Sequence, residues 1–95
     1  MKIYLTALIK AKPGNESELK EYLLELSAAS NREEACLQYE LHFDEAQHQF
    51  IFHETWANQA GLDQHNQEPH IKKFVEKGGP LMDGPVIIYK TEKLT

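Results

Sequence analysis

Residues 3 to 12, IYLTALIKAK, place Ile3, Leu5, Ala7 and Ile9 on one side of an extended chain and Tyr4 and Leu8 on the other. Side chains alternate across a strand, so a segment apolar on both sides is covered on both; this one predicts a central strand. Pro13-Gly14 ends it in a turn. Asn15 is a candidate helix cap, with Glu18 as its capping-box partner. Leu19, Tyr22, Leu23 and Leu26 then recur at i, i+3, i+4, i+7, the stripe of an amphipathic helix reaching about Ser30. Segments 37 to 44 (LQYELHFD) and 49 to 56 (QFIFHETW) alternate like strands, and the four residues EAQH between them suit a hairpin. Pairing Asp44 with Gln49 sets Leu37 opposite Trp56, Tyr39 opposite Glu54, Leu41 opposite Phe52 and Phe43 opposite Phe50, all on one face. All of these are apolar or aromatic except Glu54. The other face carries Gln38, Glu40, His42, Ile51, His53 and Thr55 and is mostly polar.

A short helical stretch, AGLDQHNQ, follows from Ala57 or Asn58. Pro69 interrupts it and opens a second one, HIKKFVEK, with Ile71, Phe74 and Val75 on one side, until Gly78-Gly79-Pro80 stops it. VIIYKTEKL, 86 to 94, predicts a last strand. The order β-α-β-β-α-β is the split βαβ, ferredoxin-like α+β arrangement: a four-stranded antiparallel sheet with helices on one face. The oily hairpin face packs under the helices. The opposite face takes Tyr4, Leu8 and either Val86/Ile88 or Ile87/Tyr89, so it is apolar enough to associate, and a homodimer packed sheet to sheet is expected.

The chain's 95 residues fit one domain, 1–95. Its 41% hydrophobic and 26% charged residues are those of an ordinary globular protein. A net charge of −5 argues against a nucleic-acid partner. The run at the N-terminus is too short, and too soon interrupted by Lys10 and Lys12, for a signal or a membrane span, so a cytoplasmic location is the default expectation. Cys36 is the only cysteine, which removes intrachain disulfides and leaves a packing residue more readily than a nucleophile.

The stretch HETWANQAGLDQHNQEPH, 53 to 70, holds what chemistry there is. A carboxylate on an apolar face loses hydration, so Glu54 must be paired, hydrogen-bonded or protonated. Tyr39 is its cross-strand neighbour, and His65, three residues after Leu62, lies on the inward side of its helix within reach of it. Trp56 closes that face and brings an indole N–H that needs a partner. A structural hydrogen bond between strand and helix accounts for these residues as well as a ligand pocket does. His70 is five residues after His65, with Pro69 between, so the two imidazoles are not expected on one helical side; His53 and His42 point to the other sheet face, and His48 lies in the hairpin loop. No metal site is expected. The five glycines match neither a phosphate loop nor a dinucleotide fingerprint, and there is no GxSxG elbow.

EACLQYELHFD, FIFHETW and LDQHNQEPHIKKF together resemble the antibiotic biosynthesis monooxygenase (ABM) family, whose pattern runs Glu-x-Gly-Cys-x-x-Tyr, Glu-x-Trp, then Leu-x-x-His with Pro-His and an aromatic. The matching positions are Cys36, Tyr39, Glu54, Trp56, Leu62, His65, Pro69, His70 and Phe74, and Lys12-Pro13-Gly14 fits as well. The resemblance implies a dimeric α/β barrel. It also implies one of several activities: cofactor-independent oxidation of quinols or phenols, haem degradation, or isomerisation of a phosphorylated sugar. Ala35 stands where the family usually has glycine. Strand one has no asparagine, and His65 stands about where the haem-degrading branch has tryptophan, which points away from haem. The resulting expectation is a cofactor-free monooxygenase acting on a small electron-rich aromatic with O2. His65 is base or anion stabiliser, Glu54 orients it, and Trp56, Tyr39, Phe52 and Phe74 are pocket walls. An isomerase or lyase of a small carbonyl compound, with Lys72, Lys73 and Lys77 as the nearby cations, and a non-catalytic ligand-binding dimer are the alternatives.

Overall fold

A computed structural model describes all 95 residues. The elements are β1 (Ile3–Lys10), α1 (Glu16–Ser30), β2 (Cys36–Asp44), β3 (Gln49–Trp56), α2 (Gln59–His65), α3 (Pro69–Gly78) and β4 (Ile87–Thr91), with a single 3-10 turn at Gly79–Leu81 after α3. The strands form one antiparallel sheet in the order β2-β3-β1-β4. This is the ferredoxin-like α+β fold, and β1, apolar on both sides, lies between two strands as its pattern requires.

Ile3, Leu5, Ala7 and Ile9 of β1 are buried, while Tyr4, Thr6 and Leu8 on the other side are half-buried. The buried side continues through Phe50, Phe52 and Trp56 of β3 and Tyr39 of β2. Leu19, Leu23 and Leu26 of α1, Leu62 of α2 and Phe74 of α3 close over it. Each such side chain contributes roughly 1.5–3 kcal/mol by leaving water. Ile87 and Tyr89 of β4 lie beside Leu8 and Thr6 on the open side of the sheet, whereas Ile88 lies beside Ala7 on the helix side.

The hairpin register agrees from Tyr39 opposite Glu54 through Leu41–Phe52 and Phe43–Phe50 to Asp44–Gln49. It departs at its open end: Cys36, not Leu37, opposes Trp56, because a bulge between Cys36 and Gln38 adds one residue to β2. Leu37 is thereby turned out and is 52% exposed. The expected capping box is not formed. Asn15 donates its backbone N–H to the Lys12 carbonyl in the Pro13-Gly14 turn. Its φ of −104° and ψ of 7° do not aim the side chain at the first helical turn, and it makes no side-chain cap. Asn58 does cap: its Oδ1 accepts from the Gly61 N–H at 2.8 Å. Strand β4 is shorter than the 86–94 expected, because Thr91 already pairs with Tyr4 near the start of β1, leaving little strand for later residues to join.

Two local devices set the helical region over the strands. Asn31 Nδ2 and Ser27 Oγ both donate to the Tyr39 carbonyl, at 3.0 and 3.4 Å, tying the end of α1 to β2. Gly61 lets α2 approach the turn before β2: a Cβ at that position would lie 2.3 Å from the Ala35 Cβ. The Ala35 carbonyl also accepts from the Ala57 N–H at 2.8 Å.

Candidate active site

Between the sheet and the helices lies a mostly apolar cavity of about 430 Å³. Tyr39, Phe52 and Phe74 line it, as do Glu54 and His65, so five of the six residues singled out from the sequence reach one space. Trp56 is the exception. It is fully buried behind the wall, where its Nε1–H donates to Glu54 Oε1 at 2.9 Å. Its ring centroid lies 4.4 Å from that of His65. The tryptophan therefore acts on the cavity through the two polar side chains beside it.

Strand alternation explains how Glu54 arrives there. It lies between Phe52 and Trp56 on the same side of β3, opposite Tyr39 on one flank and Leu5 on the other. Burial pushes its pKa up to about 7, the Trp56 hydrogen bond pulls the other way, and the negative charge of Glu33 adds a little more. The Tyr39 phenol is held well above its usual range, first by burial and then by the Glu54 charge. Cys36 is pushed to about 11 by burial and by Glu33 and Glu54, so it is a thiol and a poor nucleophile.

His65 is 3% exposed and does not pair with Glu54 as expected from the sequence. Its Nδ1 lies 2.6 Å from Glu33 Oε2, and His70 Nε2 lies 2.7 Å from the same oxygen. The expectation that His70 would be out of phase is also overturned. The two imidazoles are on different helices, and the turn at 66–68 resets the phase between them, bringing their rings to 5.9 Å. Glu33 comes from the turn joining α1 to β2, where no periodicity marks it; the signal that could have found it is the first glutamate of the Glu-x-Gly-Cys-x-x-Tyr pattern, which falls at position 33. Burial lowers the proton affinity of His65, partly opposed by the hydrogen bond and charge of Glu33, and His70 lowers it further.

Glu33 and His70 also line a second, polar cavity of about 440 Å³ on the outer side, together with Arg32, Glu34, Gln64 and Glu68. The Glu33–His65–His70 group thus separates the apolar cavity from a solvated cleft. Its ligand atoms lie within 4.8 Å of one another and are the set of side chains able to hold a metal ion. A divalent ion needs such atoms about 3 Å apart, around a centre roughly 2 Å from each. The 2.6 and 2.7 Å separations here are those of hydrogen bonds. His42 and His53 lie on the open sheet face, rings 5.0 Å apart, with Glu40 near His42, away from the cavity.

The cation at the cavity is Lys90 of β4, which donates to Gln59 Oε1 at 2.8 Å. Lys72, Lys73 and Lys77 do not line it; Lys73 pairs with Glu25 on α1. A mostly apolar space with aromatic walls, an imidazole and a carboxyl that titrates near neutrality can take a proton from a bound ligand and return one.

The ABM family model, "Antibiotic biosynthesis monooxygenase", matches residues 2–77. "Uncharacterized protein sll1783" of Synechocystis sp. is 35% identical over 91 residues, 93% of this chain but only 62% of that protein. "Putative monooxygenase YcnE" of Bacillus subtilis is 34% identical over 92 residues, 95% of this chain and 96% of its own. The crystal structure of PA3566 from Pseudomonas aeruginosa superposes with a TM-score of 0.89 at 34% identity, over 99% of this chain and 95% of that one. No helix is long and apolar enough to cross a membrane. On these grounds the chain belongs to the antibiotic biosynthesis monooxygenase family.

Proposed function

We propose that this protein is a cofactor-independent monooxygenase acting on a small electron-rich aromatic, a quinol or phenol, with O2. The family and the name of the Bacillus relative support a monooxygenase-like role. The observation that carries the finer reading is the pairing, on one aromatic-walled cavity, of an imidazole of lowered proton affinity with a carboxyl of pKa about 7.

In this reading His65 accepts the phenolic proton of the bound quinol. The aryloxide gives an electron to O2, the resulting radical pair combines at a ring carbon as a peroxide anion, and His65 returns its proton to make the hydroperoxide. His65 then takes the hydrogen on that carbon as a proton while the O–O bond breaks to leave a carbonyl; the departing hydroxide takes a proton from Glu54 to leave as water, and the proton on His65 passes to Glu54 to reset the pair. The sum is quinol plus O2 to hydroxyquinone plus water. Tyr39, Phe52 and Phe74 hold the ring and keep water out, and Trp56 holds Glu54 in place. Oxygen uptake with a panel of quinols and phenols, using metal-free protein, tests the reading. His65→Ala should abolish turnover while the fold persists, and undiminished uptake in that variant would remove His65 from the role.

Lys90 supports a second reading, an isomerase or lyase of a small carbonyl compound bearing an anionic group. Proton exchange into such a compound without oxygen consumption would favour it. Under either reading the chain is one domain, and a second copy packs on the open sheet face, where Ile87 and Tyr89 are 49% and 54% exposed. Sedimentation as a strict monomer at micromolar concentration would overturn that packing.

A further inference from the structure

We propose that Glu33 is a positioning residue for His65. Its single oxygen Oε2 fixes the imidazole as the Nδ1–H tautomer, presents Nε2 to the apolar cavity as the basic nitrogen, and links it through His70 to the outer cleft. The proposal rests on the reading of His65 as the base, and it gives roles to two residues, Glu33 and His70, that were not among the expected site residues.

Geometry supports it first. A carboxylate has no proton to give, so an imidazole nitrogen 2.6 Å from one carries the hydrogen. With Nδ1 committed, the nitrogen left for a ligand is Nε2, and His65 is the only histidine on the apolar cavity. A neutral imidazole free in water favours the opposite tautomer, so the fold has to impose this one. The ring is then wedged between the rings of Trp56, at 4.4 Å, and Tyr39, at 5.5 Å, which keep it from swinging out of line. An imidazole oriented by a buried acceptor on its far nitrogen is the arrangement by which a carboxylate holds a histidine base ready in acyl-transfer sites.

His70 extends the link. Its Nε2 meets the same oxygen at 2.7 Å, while its own side chain is 19% exposed and borders the outer cleft. Glu33 thus stands between a buried imidazole and one in contact with solvent. The charged and titratable groups facing His65 come from every packed element: Glu33 from the turn before β2, His70 from α3, Glu68 from the turn before it, Glu54 across the cavity from β3 and Tyr39 from β2. Of these, Glu33 and Glu68 favour the protonated ring and His70 opposes it.

The experiment is ¹⁵N imidazole NMR on the full chain across pH 5 to 9, alone and with zinc. It uses the wild type, Glu33→Gln, Glu33→Ala and His70→Gln, paired with oxygen uptake by any quinol the wild type turns over. Wild-type His65 is expected as Nδ1–H throughout its neutral range, reverting in Glu33→Ala to the Nε2–H form of a free imidazole. Glu33→Gln keeps an acceptor and loses the charge, so it should retain the tautomer while lowering the His65 pKa. His70→Gln should move that pKa upward. In turnover, Glu33→Ala should lose at least tenfold in kcat with KM little changed, and Glu33→Gln should move the acidic limb of the kcat profile with the NMR pKa. A wild-type His65 in the Nε2–H form, or a tautomer unmoved in Glu33→Ala, overturns the proposal. So does stoichiometric zinc binding that shifts His65 and His70 together, which would make the cluster a metal site. If no quinol is turned over, the reaction assigned above fails, while the tautomer is still read by NMR.

Discussion

Two acidic side chains stand beside the His65 and Trp56 rings, and the fold treats them oppositely. Glu54 sits in the middle of a strand, on the apolar side of the sheet, with one hydrogen bond from an indole. Glu33 sits in a turn at the edge of the helical layer, with two imidazoles on one oxygen and a polar cleft beside it. The first is driven toward its protonated form by burial; the second gathers donors. A carboxyl on a strand has the partners its neighbours in register allow, here Tyr39 and Leu5. A turn can be bent to collect partners from two helices. Under the proposed function, the same residue type supplies a proton in one place and holds a base in the other.

The widest break in this comparison is Trp56→Ala. It removes the fully buried ring that touches both sides, and a loss of about 3–5 kcal/mol in chemical unfolding is expected. A loss below about 1 kcal/mol would mean that the ring is not the packed partition described.

Next comes the titration of Glu54. Its folded pKa of about 7 lies above the usual carboxylate value of 4.5. The associated stability is fully present below about 4.5, falls as pH rises through 7 and is then lost, a total of about 3 kcal/mol. Glu54→Gln should be flat across this window and more stable than the parent at pH 8, with oxygen uptake impaired. Parallel urea curves for the two proteins at pH 5 and pH 8 would contradict the raised pKa.

Glu33→Ala is expected to cost less, about 2 kcal/mol, because two partly buried imidazoles lose an acceptor but one of them can turn to water. Thermal melts at pH 7 measure it, and a cost equal to that of Trp56→Ala would make Glu33 a core residue instead. The smallest effect belongs to Lys73→Ala. Both ends of the Lys73–Glu25 pair are more than half exposed, so thermal unfolding should be unchanged, and a resolvable drop would show that pair to be structural.

The fold was legible wherever burial wrote a period. Leu19, Leu23 and Leu26 on α1, the double-sided β1 and the register from Tyr39–Glu54 to Asp44–Gln49 all follow from which side of an element meets the core. Leu37 misled because a bulge changes the alternation without changing composition. Asn15 misled because a cap requires backbone angles which the preceding turn had already spent on a different hydrogen bond. In the site, Glu54, His65, Tyr39, Phe52 and Phe74 reach one cavity because each lies on a predicted inward side. Glu33 was passed over because nothing in a five-residue turn is periodic, although the leading glutamate of the Glu-x-Gly-Cys-x-x-Tyr pattern falls on it. His70 was set aside because a spacing of five was read along one helix, when Pro69 begins another. Lys90 was passed over because a lysine near the end of a strand reads as a solvated one.

Gly61 and Ala35 meet as a hydrogen against a methyl, across a gap with no space for two methyls. The pair works as a gauge block: its thickness sets how far α2 stands from the turn carrying Glu33, and His65 is one helical turn along from Gly61. The two positions are consequently free to trade sizes but not to grow together. Glycine at 35, the residue usual in the family, leaves room for alanine at 61, and the exchanged chain should keep the His65–Glu33 spacing that Gly61→Ala alone would open.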